Sequence, residues 1–401
     1  MKRPIFGMLI FILLTASPLS AKELGRIKVL TYNVFGVFVA PAREARMEQI
    51  GKEIAKLNPD IIGFQEAFNR KQRALILADL EKNGWGKPYE FYEKRWYGPG
   101  AWIVSKYPLE KTKMFTYPVN GTPVDSDWYA QKGVAYARIA TPFGPLDFFD
   151  THMIARYTSV KDRRGNIIED DRSKTDRLLQ AEFQAQVVQA TNQAGRVRGL
   201  VSVGDFNSPP VLLEYHLFAA LSALNNVGYE LPISDCNGET VDCKPDNRID
   251  HIFYQNYAGD SGFYLKPLKA EMVFSEKVKS RMGMVRMSDH NGLLVEFAAL
   301  SADDAQAKVG DRSAAKIELA SKNISNDLPR LKTEVDKKEL NPSDPAGQAW
   351  AVQELVKLNA EKNRKNKIPT ACAKIIIAGP QRKADLTESD FEQLQKAFNT
   401  K

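Results

Sequence analysis

Short apolar runs that stop abruptly on polar residues recur along this chain, and they constrain its fold more than any other feature. The plainest is Leu200–Val203, which runs into Gly204-Asp205-Phe206-Asn207-Ser208-Pro209-Pro210. Such a run, closed by turn-forming residues, predicts a buried strand that presents Asp205 and Asn207 at its carboxyl end. Two residues apart in extended backbone, they project to one side. A carboxylate beside an amide oxygen suits a hard cation with a phosphate nearby, although taken alone the same residues read as an ordinary turn.

The pattern repeats. A strand over Ile27–Val34 carries Asn33 at its end, and Met47, Ile50, Ile54 and Leu57 give Arg43–Leu57 a helical spacing closed by Asn58-Pro59-Asp60. The strand Ile61–Phe64 delivers Gln65-Glu66, a helix follows over Lys71–Lys82, and Tyr89–Tyr97 is aromatic and basic. Ala101–Val104 predicts a strand, and Met114–Gly133 a loop bearing Trp128-Tyr129, which suits a lipid or base contact or ordinary packing. The strands Val134–Ile139 and Leu146–Asp150 flank a Thr141–Pro145 hairpin connection and lead to Asp150-Thr151-His152. A charge-dense loop to Arg172 precedes a helix capped by Ser173 and reaching about Ala190, its inner face formed by Leu178, Leu179, Phe183, Val187 and Val188. A further helix over Val211–Leu224 contains His216, read as structural. In the strand Asn247–Tyr254, Asp250 faces opposite to Ile249 and His251, and Ser288-Asp289-His290-Asn291 precedes a last strand, Gly292–Ala298.

The two ends differ from this middle. Met1-Lys2-Arg3, the apolar run Ile5–Ala16 and the small-residue stretch Ser17–Ala21 have the layout of a secretory signal peptide over 1–21, so a secreted or periplasmic protein is expected. Loss of Lys2 and Arg3 would lower the formal charge from +7 to +5, a mild excess that favours an anionic substrate or surface without separating nucleic acid from phospholipid. Cys236 and Cys243 are close enough for a local disulfide in an oxidising compartment, with Cys372 left over, and no neighbouring His or Cys completes a zinc set. A chain of 401 residues, 43% hydrophobic, permits one large domain over 22–300. Beyond it, 301–401 turns rich in Ala, Lys, Glu and Asp, with helical spacing at Ile317, Ile324, Leu328, Leu331 and Val335 and again over Trp350–Leu358. A helical, partly disordered extension without a catalytic constellation is predicted there.

Asn33, Glu66, His152, Asp205, Asn207, Asp250, Asp289 and His290 all fall at strand boundaries, and strand ends on one edge of a layered protein converge. Phosphodiester hydrolysis needs a cation for the phosphate, a base for water and a donor for the leaving oxygen. Glu66, Asp205, Asp289, Asn33 and Asn207 are oxygen ligands matched to Mg2+, or to Mn2+ or Ca2+, rather than to Zn2+. Asp250 could orient His290 and raise its basicity.

Six motifs in order resemble the endonuclease/exonuclease/phosphatase superfamily: Thr31-Tyr32-Asn33-Val34, Asp60-Ile61-Ile62-Gly63-Phe64-Gln65-Glu66, Asp150-Thr151-His152, Gly204-Asp205-Phe206-Asn207, Arg248-Ile249-Asp250 and Ser288-Asp289-His290. The resemblance covers about residues 27 to 298 and implies an α+β fold, a four-layered α/β sandwich of two packed, mostly antiparallel sheets flanked by helices. It implies Asn33 and Glu66 as the main metal site and Asp289 as an acid beside it. It implies His290 as general base held by Asp250, Asp205 and Asn207 as the groups placing water and phosphate, and His152 as a stabiliser of phosphoryl oxygens or an acid. Thr151-His152 argues against the apurinic-site endonuclease branch. Thr31–Phe35, Gln131–Arg138 and Thr141–Pro145 are similar to the secreted sphingomyelinase group, although no long aromatic hairpin of the kind seen in its toxins is legible near the end of the core. The expectation is a secreted, Mg2+-dependent phosphodiesterase acting on a phospholipid at a membrane surface. A secreted nuclease, favoured by the basic balance and by Arg95, Arg156, Arg163 and Arg164, is the alternative. A binding module with an inactive core would require a defect among these groups, and the sequence carries none.

Overall fold

The computed structural model describes residues 22–301 apart from 95–97, 124, 157–158, 162–166, 170–172, 195–198, 211, 223, 232–247 and 256–262. The signal segment, the extension past Ser301, all three cysteines with their predicted disulfide, and Arg95, Arg163 and Arg164 lie outside the described residues, as does the side chain of His216.

The chain begins with β1 (Glu23–Asn33), α1 (Arg43–Leu57), β2 (Ile61–Gln65), α2 (Arg70–Leu80), β3 (Tyr89–Tyr92) and β4 (Trp102–Ser105). It continues through β5 (Leu109–Thr116), α3 (Ser126–Ala130), β6 (Gly133–Thr141), β7 (Gly144–His152) and a small pair, β8 (Ser159–Lys161) and β9 (Ile167–Glu169). Then come α4 (Lys174–Ala194), β10 (Leu200–Asp205), α5 (Leu213–Ser222), β11 (Asn225–Asn226), α6 (Val227–Glu230) and β12 (Asp250–Tyr254). The last described elements are β13 (Phe263–Val273), β14 (Lys277–Ser280), β15 (Gly283–Arg286) and β16 (Gly292–Ser301).

Two six-stranded sheets carry the fold, one ordered β13-β16-β1-β2-β4-β3 and the other β11-β12-β10-β7-β6-β5. Within each, only the central pair is parallel, β1 with β2 and β10 with β7. Strand alternation assigns the faces: Val29 and Ile27 of β1 look inward to Phe148, Val201 and Val203 of the other sheet, whereas Leu30 and Tyr32 look outward to Met47 and Ile50 of α1. On the far side, Phe149 and Phe253 pack against Ala181, Ala185 and Val188 of α4 and Phe218 of α5. The order is helices, sheet, sheet, helices, which is the four-layered sandwich.

A polar bolt crosses the apolar interior. Gln65 Nε2 donates to Asp150 Oδ1 at 2.6 Å and the Trp102 backbone N–H donates to Asp150 Oδ2 at 3.1 Å, joining the two sheets behind the strand ends. Burial holds the Asp150 carboxyl well above the usual range. Gly63 faces this point, and a Cβ there would overlap Val203 and Asp150, so the sheets approach this closely only because position 63 lacks a side chain.

The segment 114–133 is not a plain loop. β5 runs on through Thr116, and Ser126–Ala130 forms a short helix. β13 was likewise not foreshadowed, and both β5 and β13 are edge strands whose outward residues are charged, so neither shows an apolar run. A hairpin is present before the last strand, β14 paired with β15, but it is short and carries methionines rather than aromatics. No helix among the described residues is long and apolar enough to cross a membrane.

Candidate active site

The parallel strands β1 and β2 end beside β10, β7 and β12, and the groups at their ends meet. Asn33 Nδ2 donates both to Glu66 Oε1 at 3.2 Å and to Asp205 Oδ2 at 3.0 Å, linking one sheet's end to the other's. Asp205 Oδ2 in turn lies 3.4 Å from His152 Nε2 and 3.8 Å from His290 Nε2. His290 Nδ1 donates to Asp250 Oδ2 at 2.6 Å, and its Nε2 is the ring nitrogen that faces Asp205. Ser288 Oγ donates to the Asn33 carbonyl at 2.6 Å, and the His290 N–H donates to the same Ser288 oxygen at 3.2 Å. Asp289 is half-buried beside them. All eight predicted residues therefore lie at this one edge.

Asn207 departs from its expected position. β10 ends at Asp205, and Asn207 adopts a left-handed conformation at φ 49°, so the two side chains do not share an extended strand face. Its backbone N–H donates to Asp205 Oδ1 at 2.9 Å and its side-chain amide to the Met153 carbonyl at 2.9 Å, a brace for the carboxylate. Glu66 is also left-handed, at φ 57°, and non-glycine residues in that region are concentrated at functional sites.

Lys132 and Asp127 join the site although no motif marks them. Lys132, buried just ahead of β6, donates to His152 Nε2 at 2.9 Å, to the Met153 carbonyl at 3.0 Å and to Asp127 Oδ1 at 2.8 Å. Its three protons are thereby used. A lysine placed directly before an apolar strand is the signal in the sequence, but only its burial against His152 gives it meaning.

Burial dominates the electrostatics. It pushes the Glu66 carboxyl up to about 7, against the lowering pull of Lys132, His290 and the Asn33 hydrogen bond. It raises Asp205 too, although His290 and Lys132 oppose the shift. Burial, then the charges of Lys132 and His290, hold His152 well below its usual basicity. His152 is consequently neutral, and its approach to Asp205 is not an ion pair. With Lys132 donating to Nε2, the single imidazole proton belongs on Nδ1, which has no protein partner.

Glu66 Oε2 is a buried oxygen with no partner either, and an ionised carboxylate cannot remain so without a cation. With Asn33 and Asp289 alongside, the oxygen donors fit a hard divalent ion. Asp205, Asp250 and His290 also present three ligand atoms within 4.8 Å of one another. The short Asp250–His290 hydrogen bond occupies that imidazole nitrogen with a proton, so this trio reads as proton-handling machinery rather than a ligand set.

Inositol phosphosphingolipids phospholipase C of Schizosaccharomyces pombe is 28% identical over 217 residues, which is 52% of this chain and 47% of that protein. A putative neutral sphingomyelinase of Drosophila melanogaster is 24% identical, covering 68% of this chain and 60% of that one. The chain thus spans about half the length of the curated relatives it matches. Among solved structures, a humanized D. rerio TDP2 superposes with a TM-score of 0.50 at 16% identity over 68% of this chain and 98% of its own, a likeness of fold. Sphingomyelinase C from Streptomyces griseocarneus gives 0.49 at 17% identity, covering 68% and 99%. Matched from β1 to His290, over residues 30–290, this chain belongs to the Endonuclease/Exonuclease/phosphatase family.

Proposed function

We propose that this protein is an exported, Mg2+-dependent phosphodiesterase that hydrolyses the head-group phosphodiester of a sphingolipid. One observation carries the reading: a histidine held by Asp250 places its Nε2 3.8 Å from Asp205, within one cluster of buried groups that also contains the unpartnered oxygen of Glu66. The lipid substrate is supported by the names of the relatives similar in sequence, an inositol phosphosphingolipids phospholipase C and a putative neutral sphingomyelinase.

Glu66 would hold the metal, with Asn33 and Asp289 beside it. When bound, the ion supplies positive charge to neutralise the phosphate. His290 takes a proton from water at Nε2, and Asp250 stabilises the imidazolium that results. Asp205, braced by the Asn207 N–H, orients that water. His152, kept neutral, stands 3.4 Å from Asp205, where it stabilises phosphoryl oxygens, and Lys132 positions its imidazole. Lys132 thus acts as a positioning residue.

Sphingomyelin, inositol phosphosphingolipid and DNA, each presented with Mg2+ and with chelator, test the proposal. Metal-dependent release of a phosphorylated head group is expected. Turnover of DNA alone would replace it with the nuclease reading.

A further inference from the structure

The most exposed large apolar side chains among the described residues are Phe38 and Val39, at 81% and 86%. They form the tip of the loop between β1 and α1, and that loop is braced. Arg46, only 4% exposed, directs its guanidinium at four carbonyls: Nε to Pro41 at 2.9 Å, Nη1 to Val34 at 3.1 Å and Met287 at 2.7 Å, and Nη2 to Phe35 at 2.7 Å. Both ends of the loop are clasped by one side chain. The same side chain grips the residue that follows the β14–β15 hairpin and precedes Ser288. Gly36 lies against Glu66, where a Cβ would overlap the Glu66 carbonyl oxygen.

The hairpin packs on α1, the helix that follows this loop. Arg281 bonds Glu44 at 3.0 Å and Glu48 at 3.1 Å on α1, and Arg43 of the same helix lies over the Phe38 ring at 5.1 Å. Lys277, Lys279, Met282 and Met284 of the hairpin are exposed. Two apolar tips and two lysines are therefore mounted on the first turns of α1, at the edge that holds Asn33 and Asp289. Apolar side chains held rigidly in water beside lysines match the interfacial region of a bilayer with anionic head groups.

We propose that Phe38 and Val39, flanked by Lys277 and Lys279, form a surface that docks on an anionic phospholipid bilayer, with Arg46 keeping it in register with the metal-side residues. The inference rests on the lipid reading above and states how a membrane-embedded substrate meets the cleft.

The full chain and a Phe38→Ser/Val39→Ser variant are sedimented with vesicles of phosphatidylcholine, phosphatidylserine and sphingomyelin, and assayed on those vesicles and on soluble bis-p-nitrophenyl phosphate with Mg2+. Vesicle binding and vesicle turnover should each fall about tenfold or more in the variant, from loss of two inserted apolar groups. Turnover of the soluble diester should be unchanged. Lys277→Glu/Lys279→Glu should remove the preference for phosphatidylserine. Unchanged vesicle binding in the serine variant would overturn the docking surface, as would an equal loss on the soluble diester. A native chain that sediments with vesicles yet hydrolyses no sphingolipid would leave the surface standing and sink the substrate reading. One that hydrolyses sphingomyelin without sedimenting would do the reverse.

Discussion

Lys132 Nζ lies 2.9 Å from His152 Nε2, and both side chains are almost wholly buried. A buried ammonium that donates to an imidazole nitrogen makes protonation of that imidazole unfavourable, and this chain places the pair within reach of Asp205 and Glu66. Replacement of Lys132 by methionine should lower turnover about a hundredfold or more, the scale of losing one oriented donor. His152 should titrate at higher pH in the variant. Imidazole NMR checks both forms, and a His152 whose titration does not move would refute the assigned tautomer.

Glu66 sets a pH window. Its folded carboxyl is pushed up to about 7, above the ordinary 4.5, so without metal its contribution to stability is present below about pH 4.5 and lost as pH rises through 7. Metal binding requires the ionised form and competes with that proton. The stability of the native protein minus that of Glu66→Gln, followed by thermal unfolding in chelator, should fall between pH 4.5 and 7. The gain from added Mg2+ should be larger at pH 7.5 than at pH 5.5 and be missing in the glutamine variant. A Mg2+ effect independent of pH would remove Glu66 from the metal site.

His290→Ala should reduce turnover about a hundredfold or more in a protein that still folds, although the melting temperature should drop because buried Asp250 loses its 2.6 Å partner. Asp250→Asn keeps an acceptor near Nδ1 but removes the charge. The acid limb of its pH–rate profile should shift to lower pH, as the imidazole becomes less basic. An unshifted limb in Asp250→Asn would show that another group takes the proton.

Deleting 302–401 should leave both fold and turnover intact. The described core closes at Ser301, whose N–H donates to the Lys22 carbonyl at 2.9 Å. Circular dichroism and soluble-diester turnover of the shortened chain give the check, and loss of folding would mean that the extension packs on the core.

Much of the fold is legible in the chain because burial on both faces writes an unbroken apolar run. Leu200–Val203 and Ile61–Phe64 announce β10 and β2, and Met47, Ile50 and Ile54 mark α1, whose ends fall at Arg43 and Leu57 as the spacing predicts. Half-buried edge strands leave a weaker trace, so β5 and β13 escape. The site divides in the same way. Glu66, Asp205 and His290 stand out as polar residues at the ends or starts of apolar runs. Arg46 and Lys132 do not, because a single cation within a helix or before a strand reads as a solvated charge until the carbonyls and imidazole around it are known.

The pairing of β1 with β16, with Thr31 set opposite Leu293 and Glu23 opposite Leu300, has a consequence for the order of events at the ribosome. β1 is made among the first of the described elements, yet its antiparallel neighbour is made last. Until residues 292–301 emerge, one edge of β1 has no strand to bond, and Asn33 has neither Ser288 beneath it nor His290 beyond. Such long sequence separation slows folding and prolongs the exposure of an apolar strand edge to other chains. Catalytic competence therefore arrives late, when the last strand inserts between β13 and β1, and a nascent chain that stalls short of it is an aggregation hazard rather than a weak enzyme.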